Sequence, residues 1–396
     1  MRVIWATRLC PDPARGGGAA AEFELIRGAS RTNDVTVVCS RTQPPGPAGV
    51  PGLEVECVTV SAVPRPVPPS RLQLLSHLVF GTTPLPVWEA EPCATAVADA
   101  VADVERRVSV DLVQIWPGEM AVVASAARAP SALLLPDCYT RQARRERSEA
   151  ETVRHKLLWR TEIGKARRWE SLNYPRATAL ACVSAVDAEE LGRLAGRALD
   201  VVPLPIGDEW FAAPADERGT DVVFVGALDY RPNVEAVRWL ADAIWPLVRV
   251  ARPAARLHIV GRSPVTGVRD AVERCGAELH ADVPDTRPWY WRAGVVVSPI
   301  RLGSGIRNKV LHAFACGAPL VATAASLEGI DCAGDVDVLV ADDAPGFARA
   351  VVDSLARPEA ARDRARRALG IARRHRTEHS VAALERFWDR AVGRPG

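Results

Sequence analysis

The chain has 396 residues, 48% of them hydrophobic and 25% charged, with a formal net charge of +2. This composition fits two soluble domains that each bury a core, and it excludes a strongly basic nucleic-acid binder as the default reading. Nine cysteines stand scattered without a C-x-x-C pair, which predicts reduced thiols in a cytoplasmic protein and argues against a zinc site. No apolar run is long enough for a secretory signal or a membrane span.

In chain order, the first half reads as a strand over residues 2–7, a glycine loop over 11–18, a helix over 19–30 and a strand over 34–39. This βαβ opening predicts a parallel sheet flanked by helices. Proline-rich segments at 44–52 and 64–69 read as surface loops on either side of a strand at 53–60. A helix over 92–107, a strand at 112–116, a short helix and a strand at 132–135 follow. Residues 141–169 are the most charged part of the chain, with mixed signs at helical spacing. They read either as a solvated helical face or as a basic surface for an anionic lipid headgroup or acidic acceptor. A strand at 179–184 precedes a proline-containing linker over 203–220.

Beyond the linker the pattern restarts with a strand at 221–225, a helix over 233–250, a strand at 256–260, a helix over 268–275 and a strand at 278–280. The stretch 295–330, VVVSPIRLGSGIRNKVLHAFACGAPLVATAASLEGI, is the most informative of all. Strand, glycine turn, helix from Asn308 and strand at 319–323 make a unit that offers backbone N–H groups and a helix N-terminus to a phosphate. A last short strand at 339–340 and helices from Pro345 complete the half. Two successive α/β units imply two facing parallel sheets that bind ligands at the carboxyl ends of their strands, in an interdomain cleft.

Three clusters can converge on a diphosphate. Gly16, Gly17 and Gly18 let backbone approach closely and open a helix, although glycines there also suit a plain turn. FVGALDYRPN (224–233) places Gly226 after a strand and Arg231 before a helix, where a guanidinium either forks onto phosphate or faces solvent. The third cluster is Arg301, Gly303, Gly305, Arg307 and Lys309. Only three of the 50 basic residues are lysines (Lys156, Lys165, Lys309), so a lysine at this helix mouth fits a point contact to phosphate. Asp137 and Glu119, each just after a strand, are candidate substrate contacts; Asp137 reads equally as a helix N-cap.

Residues 224–233, LHIVG at 257–261 and the segment 298–330 resemble the retaining GT-B glycosyltransferases of the group 1 type, in the bacterial branch reading P-x-R-x-G-x-G-x-x-N-K-V-L. The resemblance implies two Rossmann-like domains: 1–202 for the acceptor, and 221–375 for a nucleotide-sugar, most often a uridine nucleotide. A terminal helix within 376–396 would pack back on the first domain. It further implies sugar transfer with retained anomeric configuration and without a metal cofactor. The acceptor would be a small molecule or a lipid-linked glycan, the latter with peripheral membrane contact. By the same resemblance Arg231, Arg301 and Lys309 stabilise the leaving diphosphate, with Gly226, Gly303, Ser304, Gly305, Arg307 and Glu328 around the donor. Ser304 and His312 stand where many members carry two glutamates, so His312 is expected either to face the ribose or to lie on the helix surface. Residues 114–118 stand where many relatives carry a histidine. The rival readings are a non-catalytic nucleotide-sugar binder or partner subunit, and an epimerase on the same fold.

Overall fold

The computed structural model describes all residues except 14–15, 42–51, 62–72, 74–75, 78–80, 151, 213–217, 304 and 395–396. Most of the two expected proline-rich loops, and Ser304, therefore lie outside the described residues. The chain divides into one unit of Met1–Pro205 with Thr377–Gly396, and a second of Ile206–Arg376.

Unit 1 holds strands β1 (Arg2–Leu9), β2 (Asp34–Arg41), β3 (Glu56–Ser61), β4 (Leu112–Trp116), β5 (Ser131–Leu135), β6 (Ala179–Cys182) and β7 (Asp200–Val201). They form one parallel sheet of order β3-β2-β1-β4-β5-β6-β7. Unit 2 holds β8 (Val222–Val225), β9 (Leu257–Gly261), β10 (Glu278–Ala281), β11 (Val295–Ser298), β12 (Leu320–Ala322) and β13 (Leu339–Val340), in a parallel sheet of order β10-β9-β8-β11-β12-β13. Every residue of β4, β5, β8, β9, β11 and β12 is buried. Continuous apolar runs such as LVQIW and VVVS are what a parallel sheet covered by helices on both faces demands. Each sheet reverses its strand order once, between β1 and β4 and between β8 and β11, and the loops after those strands open a crevice at each switch point.

Two helices depart from the expected bounds. The helix expected from Pro92 begins at Leu85 and runs to Arg107, with Pro92 inside it. Burial of Val87, Ala90, Cys93 and Val97 on its inner face outweighs the lost backbone bond. In unit 2 the helix Arg231–Trp239 passes through a π-turn, Leu240–Ile244, into Trp245–Ala251. Pro246 has no N–H to donate, and the ladder widens there. Within the expected linker, the Ile206 N–H donates to the His375 carbonyl at 2.6 Å, and Arg376 lies 4.3 Å over the Phe211 ring. Those residues are built into unit 2.

The helix Thr377–Ala391 returns to unit 1, burying Leu384, Phe387 and Trp388. Trp388 Nε1 donates to Gln114 Oε1 at 2.7 Å, and its ring meets Trp5 edge-on at 6.3 Å. Gln114 is thereby fixed as a core residue. A Cβ on Gly28 would overlap Val381, so the helix Gly17–Ala29 packs against its C-terminal partner at glycine distance. Among the described residues no helix is long and apolar enough to cross a membrane. Replacing Trp388 with alanine is expected to destabilise unit 1 by about 3–5 kcal/mol, read as a lower denaturant midpoint.

Candidate functional site

In unit 2 the switch point is built from two close approaches. A Cβ on Gly261 would overlap the Gly226 carbonyl, and one on Gly226 would come within 2.8 Å of Lys309 Nζ and 2.9 Å of Asn233 Nδ2. Both positions need glycine because backbone and ammonium share the space. Lys309 stands in the first turn of the helix Asn308–Ala315. Its Nζ donates to Asn233 Oδ1 at 2.7 Å and sits 4.0 Å over the Phe224 ring. Among the described residues no carboxylate forms an ion pair with it. Burial pushes the ammonium well below the usual lysine range, with the nearby Arg307 charge adding to the effect. A desolvated cation of this kind is relieved by an anion.

The loop from β11 to that helix turns on Gly303 and Gly305, at φ of 85° and 77°. This left-handed region is open to glycine at no steric cost. Arg307 folds back over the loop, donating to the Gly305 and Leu302 carbonyls at 3.1 Å each. A Cβ on Gly303 would lie 3.4 Å from Pro232, so the loop abuts the start of the helix Arg231–Trp239. Arg231 is not before that helix but its first residue, and it is exposed. Arg301 is engaged elsewhere. Its Nε donates to Glu235 Oε1 at 3.0 Å, its Nη2 makes a second bond to the same oxygen, and its guanidinium lies 4.6 Å over Trp239. Of the three basic side chains expected at a diphosphate, Lys309 is desolvated beside Gly226, Arg231 is exposed, and Arg301 is held by the carboxylate of Glu235 on the neighbouring helix. Ser298, Thr323 and Ser326 lock the ends of β11 and β12 through buried hydroxyl bonds. Glu328 follows β12 and its turn, partly buried, beside Gly329 at φ 80°.

His312 does not lie on an open helix surface. Its ring stacks on Trp210 at 3.6 Å and 5°, and Tyr290 closes on it edge-on at 6.3 Å. Burial depresses its pKa to about 3, so the imidazole is neutral at pH 7. Trp210 and Tyr290 escaped the sequence reading because they are 102 and 22 positions away in a chain rich in tryptophan.

In unit 1, Gly17 and Gly18 open the helix Gly17–Ala29, whose N-cap Gly16 has φ 124°. A Cβ on Gly18 would meet nothing within 4 Å, so no packing within the described chain requires glycine there. Glu119 is buried in a polar cluster. Arg8 pairs with Glu89 at 2.7 Å and with Glu119 at 3.5 Å, and the Tyr139 hydroxyl donates to Glu119. Asp137 is not the helix N-cap, which is Cys138. Glu170 reaches across from the helix Val153–Asn173 to accept from the Tyr139 N–H at 2.7 Å, and burial raises its pKa to about 7. Beside Tyr139 lies a cavity of ≈ 200 Å³ lined by Leu85, Pro86, Trp159, Ala166, Glu89 and Glu162. In the charged segment 141–169, Arg141 pairs with Asp187 at 2.6 Å and Arg144 with Glu190 at 2.5 Å, while Val153 and Leu157 are exposed.

The cysteines are less scattered than their spacing implies. Cys10, Cys39 and Cys57, from neighbouring strands or their ends, bring their sulfurs within 4.8 Å of one another. A second cluster of this kind joins His258, Glu278 and His280 in unit 2.

Two doubly wound parallel units, each with its loops at a switch point, define the GT-B fold. Residues 219–357 match the family described as glycosyl transferases group 1. Among solved structures, sucrose-phosphate synthase from Thermosynechococcus elongatus is similar over 99% of this chain and 100% of its own, at 15% identity and a TM-score of 0.72. HepE of Anabaena in complex with UDP-glucose is similar over 98% of this chain and 99% of its own, at 13% identity and a TM-score of 0.67. Trehalose 6-phosphate synthase of Burkholderia multivorans is similar over 99% of both chains, at 13% identity and 0.67. No curated protein matches the chain.

The neutral His312 sets a pH dependence. Its folded pKa lies below the ordinary 6.5, so its contribution to stability is complete above that value and is lost as pH falls toward 3. Between pH 7 and pH 5 the loss amounts to about 2 kcal/mol. His312→Phe keeps the stack on Trp210 without the titration, and denaturation at both pH values should show that loss removed.

Proposed function

We propose that the protein is a glycosyltransferase that moves a sugar from a nucleoside-diphosphate sugar, a UDP-sugar, to an acceptor hydroxyl with retention of anomeric configuration. The observation that carries this reading is Lys309: a desolvated ammonium with no carboxylate paired to it among the described residues, beside a backbone kept bare by Gly226 and Gly261. Such a group gains most from an anion whose charge grows as a bond breaks, which is what a departing diphosphate supplies. The match of residues 219–357 to group 1 glycosyl transferases and the likeness to a GT-B protein solved with UDP-glucose support the donor class.

In this reading the helix N-terminus at Asn308 and the backbone at Gly303 and at Gly305 hold the diphosphate, and Arg307 braces that loop. The flat His312–Trp210 pair lies one turn farther along, where it offers an apolar platform to the nucleoside in place of an acidic clamp. Arg231 and, after release from Glu235, Arg301 add positive charge. Transfer passes through an oxocarbenium-like state, the leaving phosphate drawing the proton from the acceptor hydroxyl, with no metal cofactor in the step. The acceptor belongs to unit 1. The cavity beside Tyr139, lined by Leu85, Pro86, Trp159 and Ala166, offers that unit a place for a small-molecule acceptor. A cytoplasmic location fits a nucleotide-sugar user.

A second reading, a nucleotide-sugar binder without turnover, is favoured by one observation, the engagement of Arg301 by Glu235. Binding and turnover separate the two. Thermal-shift measurements against UDP-, GDP- and dTDP-sugars should give a rise of several degrees with one nucleotide. Lys309→Ala should abolish that shift and lower kcat by roughly 10²–10³. No shift with any donor sinks the donor assignment, whereas a shift without release of nucleotide to any acceptor or water selects the second reading. The anomeric configuration of the product, read by NMR, tests retention.

A further inference from the structure

At the outer edge of the unit 2 sheet three atoms able to ligate a metal converge from two adjacent strands. His258 on β9 and Glu278 and His280 on the edge strand β10 project from adjacent parallel strands, paired His258 with Glu278 and Val260 with His280. His258 Nδ1 lies 3.0 Å from His280 Nε2 and 3.5 Å from Glu278 Oε2, and those last two atoms are 3.7 Å apart. Behind them, His258 Nε2 lies 3.2 Å from Asp221 Oδ2, and the same carboxylate pairs with Arg256 at 3.0 Å.

With Asp221 held by Arg256 as an acceptor, the His258 tautomer protonated on Nε2 turns its Nδ1 lone pair toward the cluster. That lone pair faces the Glu278 carboxylate. In that tautomer the His280 Nε2–H can donate to His258 Nδ1, and the half-exposed Glu278 carboxylate is left to solvent. A cation satisfies all three atoms together. For a tetrahedral ion with ligands at about 2.0–2.1 Å, the ligand atoms stand about 3.3–3.4 Å from one another, the middle of the triangle found here. The Asp221–His258 bond is also the outer carboxylate contact that orients metal-binding histidines.

From this geometry we propose that His258, Glu278 and His280 bind a divalent cation of the zinc class, with water at the fourth position. His258 is buried, whereas the Glu278 side chain is 49% exposed, so the site opens to solvent on the Glu278 side. Trp289 packs against His280 at 4.0 Å with its ring tilted by 35°, which restricts that imidazole. His258 is the second residue of β9 and Gly261 the last, so the ion sits at the opposite end of the sheet from Lys309. Its role is to tie the edge strand β10 to β9 and, through Asp221, to the start of β8.

The test uses the full chain in a Cys10→Ser, Cys57→Ser background, so that the thiol cluster does not contribute, after chelator treatment. Isothermal titration with Zn²⁺ should give one site per chain and a higher Tm, and Co²⁺ should give the visible bands of a tetrahedral nitrogen–oxygen site. His280→Ala and Glu278→Gln should each abolish the site, and Asp221→Asn should weaken it roughly 10–100-fold. Circular dichroism in chelator shows whether each variant folds; His280→Gln serves if alanine does not. Zinc uptake unchanged by His280 and Glu278 substitution, or none by a natively folded chain, overturns the proposal and leaves a hydrogen-bonded histidine pair.

Discussion

A parallel sheet covered by helices on both faces drives most polar chemistry to the strand ends, and the loops at each switch point follow from that constraint. In each unit the buried strands are mostly apolar, Gln114 and His258 being exceptions, and most side chains that bear charge or bend the backbone gather in the loops after β1, β4 and β5, or after β8, β11 and β12. The reversal of strand order then decides which loops face each other. In unit 2 it sets the Gly226 turn against the β11 loop, and an ammonium, an amide and bare backbone come to share one small volume.

Burial is the dominant electrostatic effect in both units. Lys309 is shifted toward its neutral form, His312 is held neutral, and Glu22, which accepts from Trp5 Nε1 at 2.8 Å, has its pKa raised to about 8. Desolvation is the first cause in every case. What differs is the company each group keeps. Glu22 has an indole donor, His312 an aromatic face, and Glu170 the N–H groups of a helix start. Lys309 has a neutral amide and a ring face, and this contrast sets it apart from the other buried groups.

The return of the last helix to unit 1 is a packing solution with a clear physical cause. Gly17–Ala29 presents Gly28 where Val381 needs room, and Trp388 brings an indole N–H that Gln114 satisfies inside the core. The core of unit 1 is thus completed by the end of the chain, with Gln114 serving there as a structural amide.

Much of the secondary structure was legible in the sequence, because near-continuous valine, isoleucine and leucine runs between glycine turns have few other folded solutions. The glycine and lysine pattern of 295–330 was legible for the same local reason: strand, turn and helix start within 15 residues fix their own geometry. Partners far apart in sequence were not. That Glu235 holds Arg301, that Trp210 covers His312, that Glu170 takes the capping role offered to Asp137, and that Cys10, Cys39 and Cys57 meet are consequences of strand order. The sequence by itself determined the two α/β units, their glycine turns and the basic residues available to them. The tertiary structure alone decided which of those charges are paired with a carboxylate and which is buried beside neutral groups, because desolvation and pairing depend on what the sheet brings within a few ångströms.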